Sequence, residues 1–159
     1  MVEMELIGVR LELPNHQPIV LLREVEGRHR VLPIFIGPPE ATAIALALDG
    51  VATPRPMTHD LVKELLDQLG AQVVKVVVND LIDSTFYSII HLQTGDEVHE
   101  VSSRPSDAIA VAVRVGATIY AEERVLDEAA QAVEEEDSEA VVDEFRQFLD
   151  SVDPDDFNS

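Results

Sequence analysis

Between Ala108 and Val115 the chain reads Ala-Ile-Ala-Val-Ala-Val-Arg-Val. A helix with this pattern is apolar nearly all round and rich in small side chains, so it has no face to give to water. It must be buried, against a sheet or between subunits. Ser106-Asp107 is expected to cap it and Gly116 to end it. A chain that hides such a helix needs other elements on more than one side of it.

Those elements are legible on either side. Val2, Met4 and Leu6 share one parity, while Ile7, Val9, Leu11 and Leu13 share the other. A strand that changes faces needs an extra residue, which places a β-bulge at Gly8. Residues 19–22 and 31–36 read as two further strands joined through Glu26-Gly27. Pro33 cannot donate to a ladder, so its strand belongs at an edge or a bulge. Pro38-Pro39 opens a helix running to Leu48, and Thr58 is the expected N-cap of a second, with Leu61, Val62, Leu65, Leu66 and Leu69 turned inward. Residues 73–78 and 86–92 are apolar on both parities, which calls for cover on both faces of their sheet. A short strand through Val98 and Val101 follows the Thr94-Gly95-Asp96 turn, and Thr118-Ile119-Tyr120 is a last short strand. Strands, two helices, strands, a helix and a strand make an α+β fold, with a mixed, mainly antiparallel sheet packed against helices. Residues 126–159 read as a C-terminal acidic helical extension on a domain of residues 1–125, with Val141, Val142, Phe145, Phe148, Leu149 and Val152 as an apolar stripe.

Charge narrows the function. The formal net charge is −20, and residues 121–159 carry fifteen acids against two bases. Phosphate backbones are gripped by Lys and Arg, so this chain lacks the footprint of a duplex-binding module. With aromatics at 4% it also lacks a broad base-stacking platform. Seven scattered glycines form no phosphate-cradling loop, and there is no Gly-x-Ser-x-Gly elbow and no His-Glu-x-x-His pair. The absence of cysteine removes disulfides and thiolate chemistry and suits the cytoplasm. No apolar run reaches the roughly 18 residues of a membrane span, and no signal peptide is read at Met1-Val2-Glu3.

Four short stretches can carry chemistry. In Arg104-Pro105-Ser106-Asp107 a carboxylate and a hydroxyl stand at the start of the buried helix beside a cation. Asp107 can bind a divalent metal or activate water there while Arg104 steadies a phosphate oxygen; the plainer reading is a cap with a local ion pair. In Thr58-His59-Asp60 an imidazole and a carboxylate share a helix N-terminus, where the dipole favours a neutral base or an anionic cap. Glu40 is a metal carboxylate if the other helix starts come to it, and otherwise an ordinary first-turn acid. His91 and His99 flank a turn whose length decides their faces: a three-residue loop pairs them, and a two-residue loop puts them on opposite sides.

Four blocks in order resemble the bifunctional nuclease domain family. They are Arg30 to Gly37 with Glu40, Pro54 to Leu61, Ser84-Thr85-Phe86-Tyr87, and Ser103 to Ile109 followed by Gly116-Ala117. The resemblance implies a homodimer and cleavage of DNA and RNA, with the family's motif positions at Glu40, His59, Asp60, Arg104, Ser106 and Asp107. The expected protein is a nuclease dependent on a divalent metal, Mg or Mn, acting on single-stranded or flexible nucleic acid. Glu40, Asp60 and Asp107 would hold the metal, His59 would move the proton, and Arg104 would neutralise phosphate. The rivals are a non-catalytic homodimeric interaction module whose acidic tail meets a protein partner, and a sensor of small anions.

Overall fold

The structure, a computed structural model, describes residues 1–132. Seven strands form one sheet: β1 (Val2–Glu12), β2 (Gln17–Glu24), β3 (Val31–Phe35), β4 (Gln72–Ile82), β5 (Thr85–Thr94), β6 (Glu97–Ser103) and β7 (Thr118–Ala121). Their spatial order is β3-β2-β1-β7-β4-β5-β6. Every neighbouring pair is antiparallel except β4 with β7. The short last strand therefore closes the centre of the sheet and joins two antiparallel halves. Four helices accompany them: α1 (Pro38–Leu48), α2 (Thr58–Gln68), α3 (Pro105–Val115) and α4 (Glu123–Ala129). This is the α+β architecture that the pattern predicts. The stripe expected at 141–152 lies outside the described residues.

The phase change in β1 is a bulge. Leu6 pairs with Leu22 and Gly8 with Leu21, which leaves Ile7 as the extra residue. Met4 and Val9 thus reach the same main core, while Ile7 packs with Ile19, Leu21 and Val31 on the other face. Pro33 sits on β3, an edge strand, opposite Leu21. Helix α3 is buried as its composition requires, with Ala108, Ile109, Ala110, Val111 and Ala112 almost wholly covered. It lies against β4 and β5 and also against α1 and α2. Alanines at 41, 43 and 45 of α1 and at 108, 110 and 112 of α3 keep the helix surfaces low, which permits close approach.

Several expectations need correction. The N-cap of α2 is Met57, with Thr58 already in the first helical turn. Helix α3 begins at Pro105 behind Arg104, so Ser106 and Asp107 are first-turn residues rather than caps. Of the α2 residues expected inside, Val62 and Leu66 are partly buried, whereas Leu61, Leu65 and Leu69 are half to three-quarters exposed, and His59 is the helix's buried residue. The periodicity is real, but it marks a free stripe because α2 rests on α3 through its polar N-terminal end. Cover on both faces holds only for the middle of β4. Val76, Val77 and Val78 are buried, whereas Val74, Ile82 and Tyr87 are exposed. The β5–β6 turn is the two-residue kind, with Thr94 opposite Glu97, so His91 and His99 lie on opposite faces and form no joint site.

A buried ion cluster fastens the sheet edge. Arg30 donates to both carboxylate oxygens of Glu24, at 2.7 and 3.0 Å, and reaches Glu123 at 2.7 Å and Asp127 at 3.1 Å. Glu24 is 4% exposed and Arg30 9%. The cluster holds α4 beside the β2–β3 hairpin, where Gln131 pairs with Val31. The Arg30 side chain keeps the Glu24 carboxyl below its ordinary range despite burial, and the Arg30 backbone N–H adds to this. A carboxyl depressed in the folded state stabilises the fold above its unfolded pKa, near 4.3, and loses that contribution as pH falls through the folded value. Glu24→Gln is therefore expected to lower unfolding free energy by about 3 kcal/mol at pH 7. The gap to wild type should shrink as pH drops below about 4, as read by urea denaturation at both pH values; a gap independent of pH would refute it.

Candidate active site

Each of α1, α2 and α3 carries an acid at its third position: Glu40, Asp60 and Asp107. A carboxylate there meets the positive end of the helix dipole and the unpaired first-turn N–H groups. Local chemistry alone would let each fold back on its own helix. Asp60 does so in part, accepting the Met57 N–H at 3.0 Å. Glu40 lies against Gly37, where an added Cβ would come within 2.5 Å of Glu40 Oε2. The tertiary fold then gives all three acids partners from elsewhere.

Arg104 joins two of them. Its Nη2 donates to Glu40 Oε1 at 2.6 Å and its Nε to Asp107 Oδ2 at 2.8 Å. The second oxygen of Asp107, Oδ1, lies 2.8 Å from His59 Nε2. Glu40, Arg104, Asp107 and His59 thus make one hydrogen-bonded chain across the starts of three helices. His59 is 7% exposed at one end and the Glu40 side chain 13% exposed at the other, while the Arg104 side chain between Glu40 and Asp107 is 66% exposed. Burial pushes the Asp107 carboxyl up, yet the hydrogen bonds from His59 and Arg104 and their charges prevail and hold it below the usual range. Asp107 is therefore anionic at neutral pH, suited to orienting an imidazole and stabilising its protonated form.

Asp60 is turned elsewhere. It accepts from Arg114 Nε at 2.6 Å, while Arg114 also donates to the carbonyls of Ala110 at 2.8 Å and Ala43 at 2.9 Å. The guanidinium, 7% exposed, thereby ties α3 to both α1 and α2. Burial raises the Asp60 carboxyl, but Arg114 and the Met57 N–H outweigh it and keep it low. Nothing in the local sequence singles out Arg114 except that it is the one cation in an otherwise apolar buried helix, seven residues after Asp107 and hence on a similar face. That was a usable signal.

The acids proposed as metal ligands, Glu40, Asp60 and Asp107, do not gather. A guanidinium stands between Glu40 and Asp107, and Asp60 belongs to the Arg114 clamp. Among the described residues no three His, Asp or Glu side chains are placed to hold a metal ion. Ser106, next to Asp107, is 5% exposed and lines a cavity of about 340 Å³ that Arg104, Ile34, Phe35, Gly37 and Phe86 also border.

The two arginines should behave differently when truncated. Arg114→Met leaves two carbonyls and the partly exposed Asp60 without the guanidinium that pairs them and is expected to cost about 3 kcal/mol. Arg104→Met removes the ion pairs to Glu40 and Asp107 from a side chain 66% exposed, each worth at most about 1 kcal/mol. Chemical denaturation of the two variants checks this, and comparable losses would contradict the division into clamp and site.

The chain is 46% identical over 165 residues to an uncharacterized protein of Mycobacterium tuberculosis strain H37Rv, spanning 99% of this chain and 98% of that one. It is 33% identical over 101 residues to bifunctional nuclease 2 of Oryza sativa subsp. japonica, covering 62% of this chain and 31% of the plant protein. The match to bifunctional nuclease 2 of Arabidopsis thaliana is 32% over 107 residues, with 64% and 32% covered. The plant proteins are thus about three times as long as the part they share. The profile of the bifunctional nuclease domain matches residues 20–134, from β2 through α4 and past all the residues of the site, and the chain belongs to that family.

Proposed function

We propose that the protein hydrolyses phosphodiester bonds of nucleic acid at the Glu40–Arg104–Asp107–His59 chain. The observation that carries this reading is the joining of four side chains from three helix starts into one network with an exposed guanidinium between two of its carboxylates. Capping alone would not bring Arg104 to Glu40, sixty-four residues away in sequence. The names of the plant relatives agree with the reaction class.

In this mechanism Arg104 leaves Glu40 to take a non-bridging phosphate oxygen, offering two N–H donors in one plane. Asp107 holds His59 through Nε2, which leaves Nδ1 to accept a proton from the attacking water. Asp107 steadies the imidazolium that results, and the proton is returned to the departing oxygen. Glu40 positions Arg104 when no substrate is bound. Glu40, Asp60 and Asp107 are each paired with an arginine and offer a divalent ion no ready ligand set, and the steps run through side chains. The same assays in EDTA and with added Mg²⁺ or Mn²⁺ address the expected metal.

A second reading is favoured by the free stripe on α2. Leu61, Leu65 and Leu69 would be covered in a homodimer, and an interaction module would need that surface and no catalysis. Leu65→Asp should then halve the mass measured in solution if the stripe is the dimer contact.

Two outcomes test the nuclease. His59→Asn and Arg104→Ala should each lower the turnover of single-stranded DNA and RNA by about 10²-fold or more, with the fold intact by circular dichroism. Cleavage undiminished in both would assign it to a contaminant. Gly37→Ala is a finer probe, because the backbone at Gly37 has φ −76° and accepts alanine while the new methyl group displaces the Glu40 carboxylate. Its expected effect is a several-fold fall in activity with a melting temperature within a few degrees of wild type; unchanged activity would show that Glu40 has no positioning role.

A further inference from the structure

The cavity beside Arg104 holds features that phosphodiester chemistry does not use. One wall is apolar, made by Ile34, Phe35 and Ile36 at the end of edge strand β3 and by Phe86 at the start of β5. Phe35 is 62% exposed, an unusual position for one of only five phenylalanines in the chain. The other wall is polar. Ser106, in the first turn of α3, is 5% exposed and borders the cavity. Gln17 spends its side-chain N–H on the Ile36 carbonyl at 3.1 Å, leaving its amide oxygen as an acceptor. Arg104 is the one charged residue among those that line the cavity.

We infer that this cavity seats one unpaired nucleobase of a single-stranded nucleic acid whose phosphate is held by Arg104, with Phe35 as the stacking surface. The inference rests on the reading under Proposed function and adds what the substrate must present. An aromatic face, a serine hydroxyl and an acceptor amide suit a flat ring with polar edges, and the guanidinium at the rim suits the phosphate attached to it. The volume, about 340 Å³, is at the lower end of the range for small-ligand sites, roughly 300–1,000 Å³. That is room for one nucleotide and not for a duplex. In a duplex the base faces are already stacked, so an unpaired or extruded base alone can meet Phe35. The chain's charge of −20 points the same way, since affinity that cannot come from many phosphate contacts must come from the base.

The test uses the full chain at low salt and two fluorescein-labelled strands of equal length, one of thymidines and one abasic, both with phosphorothioate links so that neither is cut. Anisotropy should show wild type binding the thymidine strand on the order of ten-fold more tightly than the abasic one. Phe35→Ala should erase that preference, Phe35→Tyr should keep it, and Arg104→Ala should weaken both strands alike. Equal affinity of wild type for the two strands, or a preference that survives Phe35→Ala, overturns the base pocket while leaving the cleavage assays to stand on their own. Binding to neither strand also overturns it, and if His59→Asn and Arg104→Ala leave cleavage unchanged as well, the nuclease reading falls separately.

Discussion

Everything in this fold is arranged around the burial of α3. Its apolar side chains must leave water, and the fold meets that demand by laying the helix on the β4–β5 half of the sheet and placing α1 and α2 against its outer surface. The helix is short, so both of its polar ends fall inside the protein's working surface. At one end Arg104 and Asp107 collect Glu40 and His59; at the other Arg114 collects Asp60 and the Ala43 carbonyl. A buried guanidinium is costly unless its donors are satisfied, and these are satisfied by the neighbours they hold in place.

This explains how three acids in equivalent helix positions come to differ. Glu40, Asp60 and Asp107 all sit in first turns, and all would stabilise their helices there. The fold assigns Asp60 to the interior clamp, while Asp107 and Glu40 share the exposed guanidinium of Arg104. The difference lies in which arginine each can reach. A side chain two-thirds exposed can change partners at little cost, whereas one that is 7% exposed cannot.

The acidity of the protein fits this division. Under the function proposed above, a net charge of −20 repels a polyanion, so its recognition would be local, through one guanidinium and the surfaces beside it. The cavity bordered by Phe35, Ser106 and Arg104 supplies such a place next to the hydrogen-bonded chain.

Much of this was determined by the order of residues in the chain. Alternation, the bulge at Gly8, the prolines before α1 and α3 and the all-round apolar α3 specify elements through local sterics and hydrophobic periodicity, which act over a few residues. The same local reasoning marked Glu40, His59, Asp107 and Arg104, because charged groups at helix starts stand out against apolar runs. Three things were decided only by the tertiary structure. The exposure of Leu61, Leu65 and Leu69 depends on which end of α2 is anchored, which periodicity does not encode. The assignment of Asp60 depends on Arg114, fifty-four residues away, and that of Glu40 on Arg104, sixty-four residues away. The central position of β7, parallel to β4 and antiparallel to β1, depends on how two half-sheets close over one helix. Each is a relation between distant segments, and distance in sequence is what local physics cannot read.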